Sequence, residues 1–377
     1  MAVTLHKQEN CGFVMLNNPP VNAINQKMRE DLIDAVTWAE SEGLERVILS
    51  GMGRSFAAGA DTKEFDQPAI SPHLPDVVNR IETSTVPWIA AIHGTALGGG
   101  GELALGCRYR IARADATIGF PEVILGLVPG AGATQRLPRL VGLAEALKLI
   151  PTGKTISGKV AMTIGLVNAI DDDPVAAAKL IDQKILSEAV PLSLMKAGTD
   201  KTVNYDTARQ IAIRRMRGQE APLTAISLLE TAQTATFDDG MQKERNAFLA
   251  LRASPQARAL RHIFFAERAA KKPPKAIETQ KSTLKPLNHV IVIGGGTMGS
   301  GIAYAFLNAN IRVTILESDD AGMQRANTAI DTIISASLAS GHIDPQAATD
   351  RRNLLKVMMI QPDSDSGKWR NDDLANV

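Results

Sequence analysis

The stretch HGTALGGGGELALG, residues 93–106, follows an apolar run and leads into an Ala/Leu-rich segment typical of a helix. Four consecutive glycines let the backbone turn sharply and leave its N–H groups uncovered by side chains. A helix that begins there adds the positive end of its dipole and several unpaired N–H donors, which suits a developing negative oxygen. Glu102 follows Gly99 by about one helical turn, so we expect both to face one pocket. The same residues also fit a plain strand-to-helix turn.

Two further segments carry related features. SFAAGADTKEF, residues 55–65, contains a small-residue turn that is a second place where bare N–H groups converge. GFPEVILGLVPGAGATQRL, residues 119–137, places Glu122 directly after Pro121 in a largely apolar neighbourhood. Burial there should raise the pKa of the carboxyl group and suit it to general acid or base catalysis. Taken singly, the first segment also fits a plain turn, and Glu122 also fits a glutamate at a helix N-terminus.

The order and the residue patterns of the three segments resemble those of the crotonase (enoyl-CoA hydratase/isomerase) superfamily. The shared patterns are A-A-G-A-D, then A-L-G-G-G-x-E, then P-E-x-x-L-G-x-x-P-G-x-G-x-T-Q-R-L. The resemblance implies an α/β fold with a crotonase (ClpP/crotonase-like) spiral core and a helical region after it. It also implies that the amides of Ala60 and Gly99 form an oxyanion hole for an acyl-CoA thioester. Glu102 and Glu122 would then be the paired carboxylates of a hydratase, and this sequence retains both.

These residues predict an enoyl-CoA hydratase of fatty-acid β-oxidation, which adds water in the syn sense to a 2-enoyl-CoA and gives a 3-hydroxyacyl-CoA. Glu102 would orient the water and Glu122 would protonate Cα, although coupled carboxylates share their protons and leave this division open. Glu122 would also move a proton between Cα and Cγ, giving 3-enoyl to 2-enoyl isomerisation. Two alternatives remain: a crotonase-type isomerase or other acyl-CoA lyase, and a non-catalytic remnant that binds acyl-CoA or NAD.

A second glycine motif occurs near the C-terminal end. GGGTMG, residues 294–299, matches G-x-G-x-x-G through Gly294, Gly296 and Gly299. It follows the apolar run HVIVI and precedes a helical segment, which is the context that a dinucleotide-binding turn requires. Glu317 ends the next apolar run, near the spacing expected for an acid on the adenosine ribose. An acid at that position favours NAD over NADP.

The residue pattern V-I-G-G-G-T-M-G-S-G-I-A resembles that of the 3-hydroxyacyl-CoA dehydrogenases. The order of hydratase/isomerase, helical linker and dehydrogenase resembles the multifunctional enzymes of fatty-acid β-oxidation. That family's dehydrogenase has a catalytic His in an H-F-F-x-P segment, an N-T-S segment and a helical C-terminal domain, none of which this sequence contains. We therefore expect an incomplete Rossmann-type domain, weak NAD binding and no dehydrogenase activity in this chain. The hydratase part needs no cofactor, and no metal site is predicted.

The domain organisation follows from these patterns. We predict a crotonase core over residues 1–190, a helical region with a linker helix over 191–272, a flexible Lys/Pro/Thr-rich linker over 273–286 and the NAD-binding domain over 287–377. Ser254 and Pro255 should begin the linker helix. Predicted strands cover 11–17, 45–51, 86–94, 312–317 and 354–360, a helix covers 25–41, and 108–122 reads as strand, turn, strand. A helix over 300–309, a long helix to about residue 340 and a fourth strand beginning at DDLANV complete the second α/β part.

Composition limits the classes of partner. The 377 residues include 45% hydrophobic and 21% charged residues with a net charge of +1, so neither nucleic acid nor an anionic membrane is indicated. Two cysteines and the absence of a recognisable signal peptide or membrane span make a cytoplasmic protein the expectation. An acyl-CoA thioester is the expected small-molecule partner, with Lys63 a candidate for its phosphates. Self-association or a thiolase partner is left open.

Overall fold

The computed structural model describes residues 2–65, 67–68, 70–198, 203–271, 286–339 and 342–360. These residues fall into two compact units, unit 1 within Met1–Lys272 and unit 2 within Pro273–Val377. The predicted linker lies outside the described residues except for Pro286, and so does the predicted fourth strand at DDLANV. The boundaries at residues 190 and 286 stay predictions.

Unit 1 is built on a six-stranded sheet and a three-stranded sheet. Its strands are β1 (Val3–Gln8), β2 (Cys11–Leu16), β3 (Arg46–Gly51), β4 (Trp88–Ile92), β5 (Thr95–Leu97), β6 (Tyr109–Ala112), β7 (Thr117–Gly119), β8 (Thr155–Ser157) and β9 (Ala169–Ile170). The larger sheet has the order β1-β2-β3-β4-β6-β9 and is parallel except for the β1–β2 pair.

The central strands of the larger sheet are buried on both faces. All five residues of β4 and the last five of β3 are buried, which explains why their sequences are continuous apolar runs. The strands predicted over 11–17, 45–51 and 86–94 are confirmed, with slightly shorter bounds. Strand β1 was not predicted.

The small sheet has the order β5-β7-β8 and connects two of the predicted site segments. Strand β5 pairs in parallel with β7, so that Leu97 lies opposite Gly119. The amide of Gly98 then donates to the carbonyl of Gly119 at 2.8 Å. This register fixes the glycine run next to the chain that leads into Glu122.

The helices of unit 1 surround these sheets and continue beyond them. They are α1 (Gln26–Ser41), α2 (Leu74–Glu82), α3 (Gly99–Gly106), α4 (Ala133–Val141), α5 (Leu143–Leu149), α6 (Gly158–Thr163), α7 (Pro174–Lys179), α8 (Gln183–Glu188), α9 (Tyr205–Met216), α10 (Glu220–Thr231), α11 (Phe237–Ala253) and α12 (Pro255–Ala270). Short 3₁₀ turns occur at Thr62–Glu64, Pro121–Leu125 and Leu192–Leu194. The predicted N-cap of α12 is confirmed, because the Ser254 side chain accepts a hydrogen bond from the amide of Ala257.

Unit 2 is a three-stranded parallel sheet with helices. Its elements are β10 (His289–Ile293), α13 (Thr297–Asn308), β11 (Arg312–Glu317), α14 (Asp320–Ala339), α15 (Pro345–Asn353) and β12 (Leu355–Met359), and the sheet order is β10-β11-β12. The strands predicted over 312–317 and 354–360 are confirmed. Helix α13 begins earlier than the predicted residue 300, because Gly296 is already its N-cap. Helix α15 was not predicted, although Asp344 caps it and Pro345 begins it.

No helix in the described part of the chain is long and apolar enough to cross a membrane. Within the same ranges, no group of three or more His, Cys, Asp and Glu side chains is arranged to hold a metal ion.

Candidate active site

The glycine run turns at Gly98, directly before helix α3. Gly98 has a φ of 51° and a ψ of −122°, a conformation that favours glycine. A Cβ atom on Gly98 would lie 2.7 Å from Oε1 of Glu122, so only glycine lets that carboxyl group approach the turn. The eight residues of α3 are all buried. The Gly98 turn therefore lets the Glu122 carboxyl group lie beside the N-terminus of α3.

Two backbone amides beside this turn are free to donate. Ile24 forms a parallel bridge across Ala60: its amide donates to the Gly59 carbonyl at 2.8 Å and its carbonyl accepts from Asp61 at 3.0 Å. The amide of Ala60 takes no part in this bridge. A Cβ atom on Gly99 would lie 3.4 Å from the Ala60 nitrogen. Among the described residues, no hydrogen bond uses the Ala60 or the Gly99 amide, so two neighbouring donors are available to a ligand.

Glu102 is held on α3 by a turn from another part of the chain. Its side chain is 2% exposed, and Oε1 accepts hydrogen bonds from the amides of Ala131 at 2.7 Å and Ala133 at 3.1 Å. Burial raises the pKa of Glu102, while the two amides and the positive charges of Arg136 and Arg245 oppose the rise. The two amides and the two arginines thus keep the rise in the pKa of Glu102 smaller than burial alone would give.

Glu122 lies in the 3₁₀ turn Pro121–Leu125 and has a different environment. Its Oε2 is buried and has no hydrogen-bond partner among the described residues. Burial raises the pKa of Glu122 well above its usual range, and the charge of Glu102 and then that of Glu244 add to the rise. Two neighbouring carboxyl groups therefore differ in their preferred protonation state, with the proton favoured on Glu122.

Glu244 is a third buried carboxyl group that the sequence analysis missed. It lies on α11 with no exposed surface and accepts hydrogen bonds from the Gly132 amide at 2.6 Å, the Thr134 amide at 2.9 Å and the Thr134 hydroxyl at 2.6 Å. Burial, followed by the charge of Glu102, raises the pKa of Glu244 to about 8. A signal did exist, since Glu244 shares the buried face of α11 with Gly240 and Leu251 at helical spacing.

The predicted site residues of unit 1 line one cavity. Its volume is about 820 Å³, within the range of small-molecule sites. Ala60, Gly99, Glu102 and Glu122 all contribute to its wall. Helix α12 closes another part of the wall with Phe264, Phe265, Arg268 and Ala269. The structure therefore assembles four residues from three segments that are distant in sequence around a single cavity.

Three arginines bring positive charge to this cavity. They are Arg54, Arg245 and Arg268, and the guanidinium of Arg268 stacks over the Phe264 ring at 4.5 Å. Lys63, the predicted phosphate contact, is exposed and does not line the cavity. The cationic side chains of the cavity thus come from segments that the sequence motifs did not mark.

The four predicted dinucleotide residues lie together in unit 2. Gly294 has a φ of 84°, and a Cβ atom on Gly299 would lie 1.8 Å from the Gly294 carbonyl oxygen, so this turn requires glycine. Gly296 has open space where a Cβ atom would be and caps α13. Glu317 at the end of β11 accepts a hydrogen bond from the amide of Gly295. A glycine turn, a helix N-terminus and an acid at the carboxyl ends of parallel strands fit a dinucleotide.

Two family models match the chain. The model for enoyl-CoA hydratase/isomerase matches residues 6–247. The model for the NAD-binding domain of 3-hydroxyacyl-CoA dehydrogenase matches residues 289–373. The two matches fall on the two units separately.

Similar proteins include a peroxisomal bifunctional enzyme of Cavia porcellus, 37% identical over 89% of this chain and 48% of its own length. A fatty acid oxidation complex subunit alpha of Shewanella baltica is 33% identical over 88% of this chain and 49% of its own. The crystal structure of an enoyl-CoA hydratase/isomerase from Pseudoalteromonas atlantica has a TM-score of 0.52 at 22% identity, covering 71% of this chain and 98% of that one. The chain spans about half the length of the curated relatives that it matches.

Proposed function

The chain belongs to the enoyl-CoA hydratase/isomerase family, and from this premise we propose that unit 1 adds water to 2-enoyl-CoA thioesters of fatty-acid β-oxidation. One observation carries the proposal: Glu102 and Glu122, in different environments, line one cavity with the free amides of Ala60 and Gly99. Hydration of a conjugated thioester needs a base for water, an acid for Cα and donors for the carbonyl oxygen. These four residues supply all three.

In the proposed reaction, the oxygen of water bonds to Cβ while the electrons of the double bond move toward the thioester oxygen. The Ala60 and Gly99 amides donate to that oxygen as it becomes negative, and the N-terminus of α3 adds a favourable field. The enolate then collapses as Cα takes a proton. The sum is one water added across the double bond.

The environments of the two glutamates support a division of labour. Glu102, ionised and fixed by two amides, accepts a proton from water as the oxygen attacks. Glu122, whose pKa is raised, delivers its proton to Cα. The proton that Glu102 gained then passes to Glu122, which returns both glutamates to their starting protonation states.

A second activity, isomerisation of 3-enoyl to 2-enoyl thioesters, is supported by the free Oε2 of Glu122. An oxygen without a protein partner can take a proton from one carbon and return it to another without breaking a hydrogen bond. This reaction needs no attacking water. The alternatives are isomerisation alone, another acyl-CoA lyase reaction, or binding without turnover.

A hydration assay separates these functions. The purified chain is mixed with crotonyl-CoA and with a longer 2-enoyl-CoA, and loss of the conjugated-enoyl absorbance is followed. We expect turnover that the Glu122→Gln variant lacks. Isomerisation of a 3-enoyl-CoA without hydration would support the isomerase alternative, and absence of both reactions would support the binding remnant.

For unit 2 we propose that the turn Gly294–Gly299 would hold the NAD pyrophosphate and that Glu317 would bind the adenosine ribose. NAD supplies hydride-transfer chemistry when bound. Weak binding is supported by the hydrogen bond from the Gly295 amide to Glu317, because the ribose hydroxyls must compete with it. A fluorescence titration with NADH tests the affinity, with Gly296→Trp as the variant that fills the open space.

We also propose the ligand, a partner and a compartment. An acyl-CoA is the proposed ligand, and Arg54 and Arg268 at the cavity are the proposed phosphate contacts. The Shewanella baltica relative is named as a subunit of a complex, which supports the proposal of a partner such as a thiolase, with self-association as the alternative. A cytoplasmic location stays a prediction, and the name of the Cavia porcellus relative assigns that protein to peroxisomes.

A further inference from the structure

Four consecutive backbone amides, from Ala131 to Thr134, donate alternately to two buried carboxyl groups. The first and third amides donate to Oε1 of Glu102. The second and fourth donate to the two oxygens of Glu244. The turn that fixes Glu102 is therefore bound from its other side by Glu244.

The conformation of this turn is unusual and depends on its contacts. Gly132 has a φ of 108°, and a Cβ atom there would lie 1.9 Å from Nη1 of Arg136. That Nη1 also donates to the Ala131 carbonyl at 3.0 Å. Loss of an acceptor for a buried amide leaves a donor unsatisfied and favours a different backbone conformation. A shift of the Gly132 or Thr134 amide would move the Ala131 and Ala133 amides that lie beside them.

We propose that Glu244 is a positioning residue for hydration: it fixes the Ala131–Thr134 turn and, through that turn, the carboxylate of Glu102. The inference rests on the proposed hydratase function and adds to it a residue from α11, far in sequence from the three motifs. Glu244 does not line the cavity, so it acts through Glu102 and not on the substrate. Burial and then the nearby charge of Glu102 raise the pKa of Glu244.

The proposal makes Glu244 more important for hydration than for isomerisation. Glu244→Gln keeps the shape but turns an NH₂ group toward a backbone N–H, so one of the two amides loses its acceptor. We expect kcat for crotonyl-CoA hydration to fall about 10-fold or more while KM changes less than about 3-fold. Isomerisation of a 3-enoyl-CoA, which does not need a positioned water, should fall much less.

A double-mutant cycle with Glu102→Gln decides between positioning and general support of the fold. If Glu244 acts through Glu102, Glu244→Gln should change hydration by less than about 2-fold in the Glu102→Gln background. Asp31→Asn is the matched control, because Asp31 is also buried, lies on α1 and accepts the Ala2 amide at 2.8 Å, but does not line the cavity. It should leave both activities unchanged.

A second variant tests the same role if Glu244→Gln does not fold. Thr134→Val removes the hydroxyl that donates to Glu244 and accepts from the Gln135 side chain. It should lower the ratio of hydration to isomerisation in the same direction by a smaller factor. Equal losses of the two activities, or an unchanged effect of Glu244→Gln in the Glu102→Gln background, would overturn the positioning role. A wild-type chain that isomerises but does not hydrate overturns the proposed hydratase, and the inference with it.

Discussion

Glu102 and Glu122 have the same side chain but different surroundings, and the two carboxyl groups therefore differ in their properties. Two amides donate to Glu102 and oppose the rise of its pKa, whereas Oε2 of Glu122 has no hydrogen-bond partner within the described ranges. Burial and the neighbouring charge of Glu102 then raise the pKa of Glu122. An acid and a base are thereby assigned by environment rather than by residue type.

This difference predicts distinct losses in the two glutamine variants. Glu122→Gln should remove both hydration and isomerisation, because both need a carboxyl group at this position to transfer a proton. Glu102→Gln should lower hydration about 100-fold or more and isomerisation far less, since only hydration needs a positioned water. Initial rates with crotonyl-CoA and with a 3-enoyl-CoA measure the two activities. Equal losses in the Glu102 variant, or an active Glu122 variant, would contradict this division.

At Gly99 a pair of variants separates the amide from the space around it. Gly99 is the first residue of α3, a position that accepts proline. Gly99→Pro removes the N–H, whereas Gly99→Ala keeps it, and both add a Cβ atom that crowds Leu74. We expect the proline variant to have a kcat lower than that of the alanine variant by roughly 10²–10³. Similar rates in two folded variants would show that this amide does not donate to the substrate.

At the scale of elements, the sequence predicted best the strands in which consecutive residues are all buried. The runs that became β3 and β4 are apolar because both faces of these strands are buried, and they were predicted within a few residues. The predicted crotonase-type fold is confirmed by the Pseudoalteromonas atlantica structure. Glu102 and Glu122 could be predicted as site residues from the sequence because they lie inside continuous motifs.

Glu244 and the cavity arginines were missed for a physical reason. Their roles depend on contacts between segments far apart in the chain, such as the bond from the Thr134 amide to Glu244. Neither local propensity nor spacing encodes such a contact, and an acid on a helix is usually solvated. Helix α15 was missed although its cap signal, Asp344 before Pro345, was present in the sequence.

Helix α12 contributes to the cavity wall, and its N-cap should stabilise the folded state of unit 1. Ser254 accepts a hydrogen bond from the Ala257 amide at 3.1 Å. Ser254→Ala should lower the free energy of unfolding of unit 1 by about 1 kcal/mol, and Ser254→Asn should lower it much less because Asn also caps. Urea denaturation followed by circular dichroism measures both. Equal stability of the alanine and wild-type chains would mean that this cap contributes nothing.

At the scale of the whole molecule, the residues proposed for hydration all belong to unit 1 and those proposed for NAD all belong to unit 2. A change confined to the glycine turn of unit 2 should therefore leave hydration intact. Gly299→Ala places a Cβ atom 1.8 Å from the Gly294 carbonyl, which the turn cannot accommodate, whereas Gly301→Ala on α13 meets nothing within 4 Å. We expect only Gly299→Ala to abolish NADH binding in a fluorescence titration, with crotonyl-CoA hydration unchanged in both. A loss of hydration in Gly299→Ala would show that the units depend on each other.

The buried carboxyl groups also make the stability of unit 1 depend on pH. Glu102, Glu122 and Glu244 all have raised pKa values in the folded chain, about 8 for Glu244, so the folded state keeps protons that the unfolded chain releases near pH 4.3. The stabilising contribution of Glu244 is complete below about pH 4.3 and is lost as pH rises through about 8, because the unfolded state then binds fewer protons. Glu102 and Glu122 contribute in the same direction.

Calorimetry between about pH 5 and about pH 8 tests this sign, and we expect the melting temperature of unit 1 to fall as pH rises. Glu122→Gln should reduce the slope, since it removes one titrating group whose Oε2 has no partner to lose. Glu40→Gln is the control: a hydrogen bond from Arg80 lowers the pKa of Glu40 to about 2, so its titration lies below this range. That variant should be less stable at every pH with the slope unchanged. A melting temperature that rises between these pH values would mean that the folded chain binds fewer protons than the unfolded chain there, and the proposed acid at Glu122 would lose its support.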